Sequence, residues 1–334
     1  MKKLMMIIGK AALLTLIAGP VLGTAATPQV KPAASVAPQS AKEFPVLRGV
    51  PSTRAAIEDL ITTCGSKYSK GQEFLGRLTE LEKTLTEAEV ALAGGDQAAK
   101  QRIAAMAEQF TGVQRDALLA NPLVDFDKLL LVKRGAGSLG LAQNWQATCS
   151  LGRRGYDNEI AVLSPVGPQG NLTTLIKPKN SEFVGDLKLD FDAEKLLFAM
   201  PDQHQRWQVW EMKANGSGLR QVTPGVEPDV DNFDPCYLPD GRIIFSSTLA
   251  FHGVPCVGGG DNVANLCLMN ADGTGIRQLC FDQDQNWCPT VLNDGRVLYT
   301  RWEYSDAPHY FTRLLFHMNP DGSGQMAHYG SGSY

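Results

Sequence analysis

A turn written three times constrains this chain more than any other feature. "MKANGSGLRQVT" (212–223), "MNADGTGIRQLC" (269–280) and "MNPDGSGQMAHY" (318–329) each place Asn-Gly or Asp-Gly just after an apolar run. Such pairs supply the positive φ values that tight antiparallel connections demand. The runs are "QVWEMK" (208–213), "NLCLMN" (265–270) and "LLFHMN" (314–319). A second turn keeps step with the first: "FDAE", "LPDG" and "LNDG" lead into "KLLFAM" (195–200), "RIIFSS" (242–247) and "RVLYTR" (296–301). "KLLLVK" (128–133) is a further version of that strand. Asp240 to Asp294 is 54 residues and Asp272 to Asp321 is 49. Repeats of this length, with about four strands and two such turns each, are the signature of propeller blades.

Blades start near residues 126, 183, 231 and 286, so the sequence from 126 to 334 holds about four, where about six would close a ring of this repeat. The expectation is a mainly β, incomplete propeller in a truncated chain, with further domains in a full-length one. Before it, residues 1–26 read as a secretory signal peptide. Lys2, Lys3 and Lys10 precede an apolar stretch, Gly19-Pro20 breaks it, and small residues occupy Gly23 to Ala26. Lys10 leaves the apolar run short for a membrane span, and none is expected after signal removal. Residues 27–50 are rich in Pro, Ala and Ser and read as a linker. In 51–121, Leu75, Leu78, Leu81, Leu85 and Leu92 recur at helical steps, and "AGGD" (93–96) interrupts them with Asp96 placed to cap a second helix from Gln97 onward. That predicts a helical hairpin.

A net charge of −4 carries no footprint for nucleic acid. A periplasmic or secreted location permits disulfides, but seven Cys leave at least one unpaired. There is no Cys-x-x-Cys-His for c-type haem, no Gly-x-Ser-x-Gly and no His-Glu-x-x-His.

"DPCYLPDGRIIFSS" followed by "LCLMNADGTGIRQL" resembles the repeat of TolB-like (PD40, WD40-like) six-bladed propellers. "NWQATCSLGRRGYDNEIAVLSP", "DVDNFDPCYLPDGRIIFSST", "GVPCVGGGDNVANL" and "NDGRVLYTRWEYSDAPH" look like secreted proteins related to the hydrazine synthase alpha subunit middle domain. That resemblance implies a domain of a redox enzyme complex whose haem is held elsewhere.

Both glycine turns of a blade fall on one face, so the long loops gather on the other. They hold the candidate ligand-binding residues His204, Arg206, His252, Cys256, Asp261, Arg301, Glu303, Asp306 and His309. His252 and His309 are also metal candidates, as are Asp229, Asp231 and Asp234 for Ca²⁺, although neither set has a recognised ligand spacing. Arg301 and Glu303 read more simply as a salt bridge, and Trp207, Trp287 and Trp302 as packing between blades. The sequence is best read as an exported, non-catalytic propeller that binds a protein, glycan or small ligand through its long-loop face. The alternatives are the redox-complex domain and a metal-dependent hydrolase or lyase.

Overall fold

The computed structural model describes residues 5–8, 44–143, 146–255, 258–303 and 313–330. These form two compact units, a helical one ending at Asp125 and a β one that takes up the chain from Phe126. The signal peptide expected over 1–26 lies outside the described residues except for Met5–Ile8.

Among the described residues, the helical unit has three α-helices, α1 (Val50–Cys64), α2 (Gly71–Ala93) and α3 (Ala98–Leu119). Apolar residues three, four or seven apart give each helix one buried stripe. Ile57 and Leu60 come from α1, Phe74, Leu78 and Leu81 from α2, and Ile103, Phe110 and Val113 from α3. Asp96 Oδ1 accepts the amide of Ala98 at 2.9 Å, satisfying a donor at the start of α3. The structure corrects two expectations here. The hairpin expected over 51–121 is α2 with α3, and α1 is an additional helix. The linker expected over 27–50 gives way earlier to a 3₁₀ turn, Pro45–Gly49, whose Leu47 is buried with Val50 in the helical core.

The described residues of the β unit form four sheets of four strands each. Blade one is β1 (Met5–Ile8), β2 (Leu129–Arg134), β3 (Asn158–Ser164) and β4 (Asn171–Ile176). Blade two is β5 (Gly185–Leu189), β6 (Lys195–Pro201), β7 (Trp207–Lys213) and β8 (Arg220–Gln221). Blade three is β9 (Asn232–Tyr237), β10 (Ile243–Ser247), β11 (Asn265–Met269) and β12 (Arg277–Gln278). Blade four is β13 (Asn286–Val291), β14 (Val297–Arg301), β15 (Leu314–Met318) and β16 (Met326–Tyr329). Neighbouring strands are antiparallel except β1, which runs parallel to β2.

Alternation along a strand turns successive side chains toward the blades on either side. Leu196 and Phe198 pack with Leu130, Val132 and Ile160 of blade one, whereas Leu197 packs with Tyr237, Ile243 and Phe245 of blade three. Ile244 then faces Val297, Tyr299 and Met318 of blade four. Strands buried on both sides read as continuous apolar runs, which is why "KLLFAM" and "RIIFSS" lack a polar alternation.

The repeated turns also serve the packing between blades. In each second turn an Asx side chain accepts the amide and hydroxyl two residues on: Asn215 from Ser217, Asp272 from Thr274 and Asp321 from Ser323. The glycine between them meets the outer strand or edge of the preceding blade, Gly216 at Leu175, Gly273 at Val222 and Gly322 at Leu279. A Cβ on Gly273 would fall 2.1 Å from the carbonyl oxygen of Val222, and its φ is +88°. Glycine is therefore required there on two counts.

Candidate functional site

The long-loop face is organised by Arg153, in the segment between β2 and β3. Its guanidinium donates to the carbonyls of Cys149 and Leu151, to that of Gln205 in the β6–β7 loop, and to Asp231 Oδ2 at 3.0 Å. Asp231 is fully buried; its other oxygen accepts the amide of Trp207. Arg206 pairs with exposed Asp229 at 2.9 Å and lies 3.8 Å from Asp231. Asp234 is turned elsewhere, toward the first strands of neighbouring blades. Of the three aspartates expected as Ca²⁺ ligands, Asp229 and Asp231 thus face the same Arg206, and Asp234 lies in separate surroundings. Among the described residues no three His, Cys, Asp or Glu side chains come together to hold a metal.

The remaining candidates divide between structural pairs and exposed loop residues. Arg301 pairs with Asp282 and with Glu303, both at 2.6 Å, and stacks 4.8 Å from the Phe316 ring. His204 is exposed in the β6–β7 turn, its amide held by Asp202. Cys256, Asp306 and His309 lie outside the described residues. Trp207 belongs to one buried cluster, and Trp287 with Trp302 to another, so these three make packing contacts and no common wall.

The segment after β10 is pinned at several points. Asp261 accepts from Gln146 at 3.0 Å and from Ser150 at 3.3 Å, tying blade three to blade one. Val254 and Val263 are buried against Trp287 and Trp302, and the Val263 amide donates to the carbonyl of His252. At the start of the segment, in the turn after β10, Phe251 is 65% exposed with a φ of +53°, next to exposed His252. A bulky side chain held in the left-handed region costs about 1–2 kcal/mol, and its ring here gains little burial in return. Segments 146–153, 202–206, 228–231 and 261–263, with Gln285 and Trp302, are joined by hydrogen bonds on this side of the blades.

The sequence reading missed a second constellation. The first strands β5, β9 and β13 each contain a bulge, with Asp186, Asp234 and Cys288 in the left-handed region at φ +53°, +48° and +55°. The two aspartate side chains each serve the next blade. Asp186 Oδ2 accepts the amide of Asp234 at 3.3 Å, and Asp234 Oδ2 accepts the amide of Cys288 at 3.2 Å. Thr148 starts the series by donating to Asp186 Oδ1 at 3.5 Å, and the Cys288 thiol ends it 3.6 Å from Asp234. Burial lifts the Asp186 carboxyl above the usual range. Asp234 is lifted further, by burial and by the Asp186 charge. Burial and both carboxylates push the Cys288 thiol well up, so it is a poor nucleophile even though the residue is exposed. Counting back from the turns would have found this set: Asp186, Asp234 and Cys288 all stand six residues before Asp192, Asp240 and Asp294. The six described cysteines are free thiols.

No protein-family model and no curated protein matches the chain. Among solved structures, the hydrazine synthase of Kuenenia stuttgartiensis matches with a TM-score of 0.50 and 18% identity, over 61% of this chain and 32% of that one. A putative TolB from Agrobacterium tumefaciens matches with a TM-score of 0.39 and 17% identity, over 52% of this chain and 56% of that one. An oligogalacturonate lyase in complex with manganese has a TM-score of 0.40 and 14% identity, over 60% and 50%. The chain thus spans between 32% and 56% of the length of these structures. The likeness is one of fold, and the hydrazine synthase match together with the four sheets identifies a mainly β, propeller-type fold preceded by a helical region.

Proposed function

We propose that this chain is an exported binding propeller that takes a protein or glycan on its long-loop face, with Phe251 and His252 at the centre of the contact. The observation that supports this reading is Phe251: an exposed aromatic ring, in an unfavourable backbone conformation, at the base of a loop held at Asp261, Val254 and Val263. Pre-organisation of this kind lowers the entropy lost on binding, and aromatic residues are among the commonest anchors of an interface. The loop-face ion pairs Arg153–Asp231 and Arg301–Asp282 support the scaffold beneath it.

Export rests on the leader-like sequence of residues 1–26. Its removal would take β1 away and leave β2–β4 as the first sheet. No helix among the described residues is long and apolar enough to cross a membrane.

Photo-crosslinking in producing cells tests the binding face. A p-benzoylphenylalanine placed at position 251 is expected to trap a protein or glycan adduct. The same group at exposed Leu219, beside a glycine turn on the other face, is expected to trap none. Adducts at 219 but not at 251 would overturn the assignment.

A further inference from the structure

We propose that His317, Met326 and His328, on the last two strands of blade four, form a copper site that takes Cu(I) on two imidazoles and a thioether.

The repeat shows what these residues replace. In blade two the facing positions of the last two strands hold Glu211 and Arg220, an ion pair at 2.7 Å. The same facing positions in blade four hold His317 and Met326. Two residues after that arginine, blades two and three place the buried Val222 and Leu279, whereas blade four places His328. A salt bridge and an apolar residue are thus exchanged for three side chains that can each ligate a soft metal.

Register and alternation bring the three together. Phe316 and Met318 of β15 pack with blade three, so His317 between them points to the other side of the sheet. Met326 of β16 lies directly opposite, and facing residues of such a pair have Cβ atoms about 4.5–5.5 Å apart. The His328 ring meets that of His317 at a right angle, with 5.4 Å between centres. Two imidazoles on one ion, at bonds of about 2.0–2.1 Å and an angle between tetrahedral and trigonal, have centres about 5–5.5 Å apart. His317 is 8% exposed, and its Nδ1 is buried with no hydrogen-bond partner among the described residues. An ion on that lone pair satisfies it. Met326 and His328 are exposed, so the ion reaches the site from solvent.

The donor set and its surroundings select the metal. Imidazole suits several transition ions, but a thioether is a soft donor that favours Cu(I) over Zn²⁺. Arg296 and Asp294 both act on His317, and they pair with each other at 2.6 Å, so that carboxylate is already engaged. A single positive charge beside Arg296 is repelled half as strongly as a double one. Burial, Arg296 and His328 also hold the His317 imidazole below its usual range, which favours the neutral ring that a metal takes.

Titration of the whole chain with Cu(I), kept reduced by ascorbate and buffered by a chromogenic Cu(I) chelator, tests the site. The proteins are wild type, Met326→Leu, His328→Ala and the thiol control Cys288→Ser. Wild type and Cys288→Ser are expected to take one Cu(I) equivalent that both site variants bind at least about tenfold more weakly. Zn²⁺ is expected to bind wild type more weakly than Cu(I) does. Met326→Leu changes an exposed side chain to one of similar size, so it keeps the test open if His328→Ala does not fold. No Cu(I) equivalent in wild type, its loss in Cys288→Ser, unchanged affinity in either folded site variant, or Zn²⁺ bound as tightly as Cu(I) would overturn the proposal.

Discussion

Arg153 Nη2 lies 3.0 Å from Oδ2 of Asp231, and the aspartate side chain has no exposed surface. One guanidinium thereby joins the segment before β3, the β6–β7 loop and the entry to β9. The pair also lies beneath the surface assigned to binding, so its loss should be felt both in stability and at the loops.

Arg153→Ala strands a buried carboxylate and leaves three carbonyls without their donor. A loss of about 3–5 kcal/mol is expected, the cost typical of breaking one side of a buried pair. Arg153→Ala with Asp231→Asn should cost less than the sum of the two single changes. Urea unfolding of the four proteins in a double-mutant cycle measures the difference, and strict additivity would show that the pair is not coupled.

Ala193 occupies, at φ +58°, the turn position that Gly241 and Gly295 fill in the next two blades at +88° and +85°. Ala193→Gly is expected to stabilise blade two by about 0.5–1 kcal/mol, because relief of left-handed strain outweighs the added freedom of the unfolded chain. The midpoint of urea unfolding should rise while the slope stays the same.

Gly273 and Gly295 separate conformational strain from collision. Both have positive φ, but a Cβ on Gly295 meets open space, whereas one on Gly273 meets the Val222 carbonyl. Gly295→Ala should cost about 1–2 kcal/mol from backbone strain alone. Gly273→Ala should cost clearly more, because the turn must also move off the edge of blade two. Equal losses in thermal melts would mean that the turn does not bear on the preceding blade.

The blades were legible in the sequence because their turns are local: Asn215-Gly216, Asp272-Gly273 and Asp321-Gly322 each fix φ and a side-chain acceptor within four residues. Helix α2 was legible through its leucines. Helix α1 was not, because its buried face is Val50, Thr53, Ile57 and Leu60, too few apolar residues to stand out from the Pro/Ala-rich stretch before it. The candidate site was harder to read. Asp229, Asp231 and Asp234 look like one cluster on paper, yet the chain passes from surface loop to strand entry to bulge within six residues: the first two meet arginines and Asp234 turns to the amide of Cys288. The Asp186–Asp234–Cys288 series was hidden for the opposite reason. Its members are about fifty residues apart, and only blade packing makes them neighbours.

The meshing of Gly216, Gly273 and Gly322 with the preceding blade also bears on how such a chain can vary. On that rim a single inserted residue would disengage a tooth from its neighbour, and the fault would pass to the next sheet. On the opposite rim the blades are tied by side chains such as Arg153 and Asp261 rather than by meshed turns. There the segment from β10 to β11 can lengthen or change its tip while its buttresses at Val254, Asp261 and Val263 stay in place, so new specificities have one side of the molecule on which to arise.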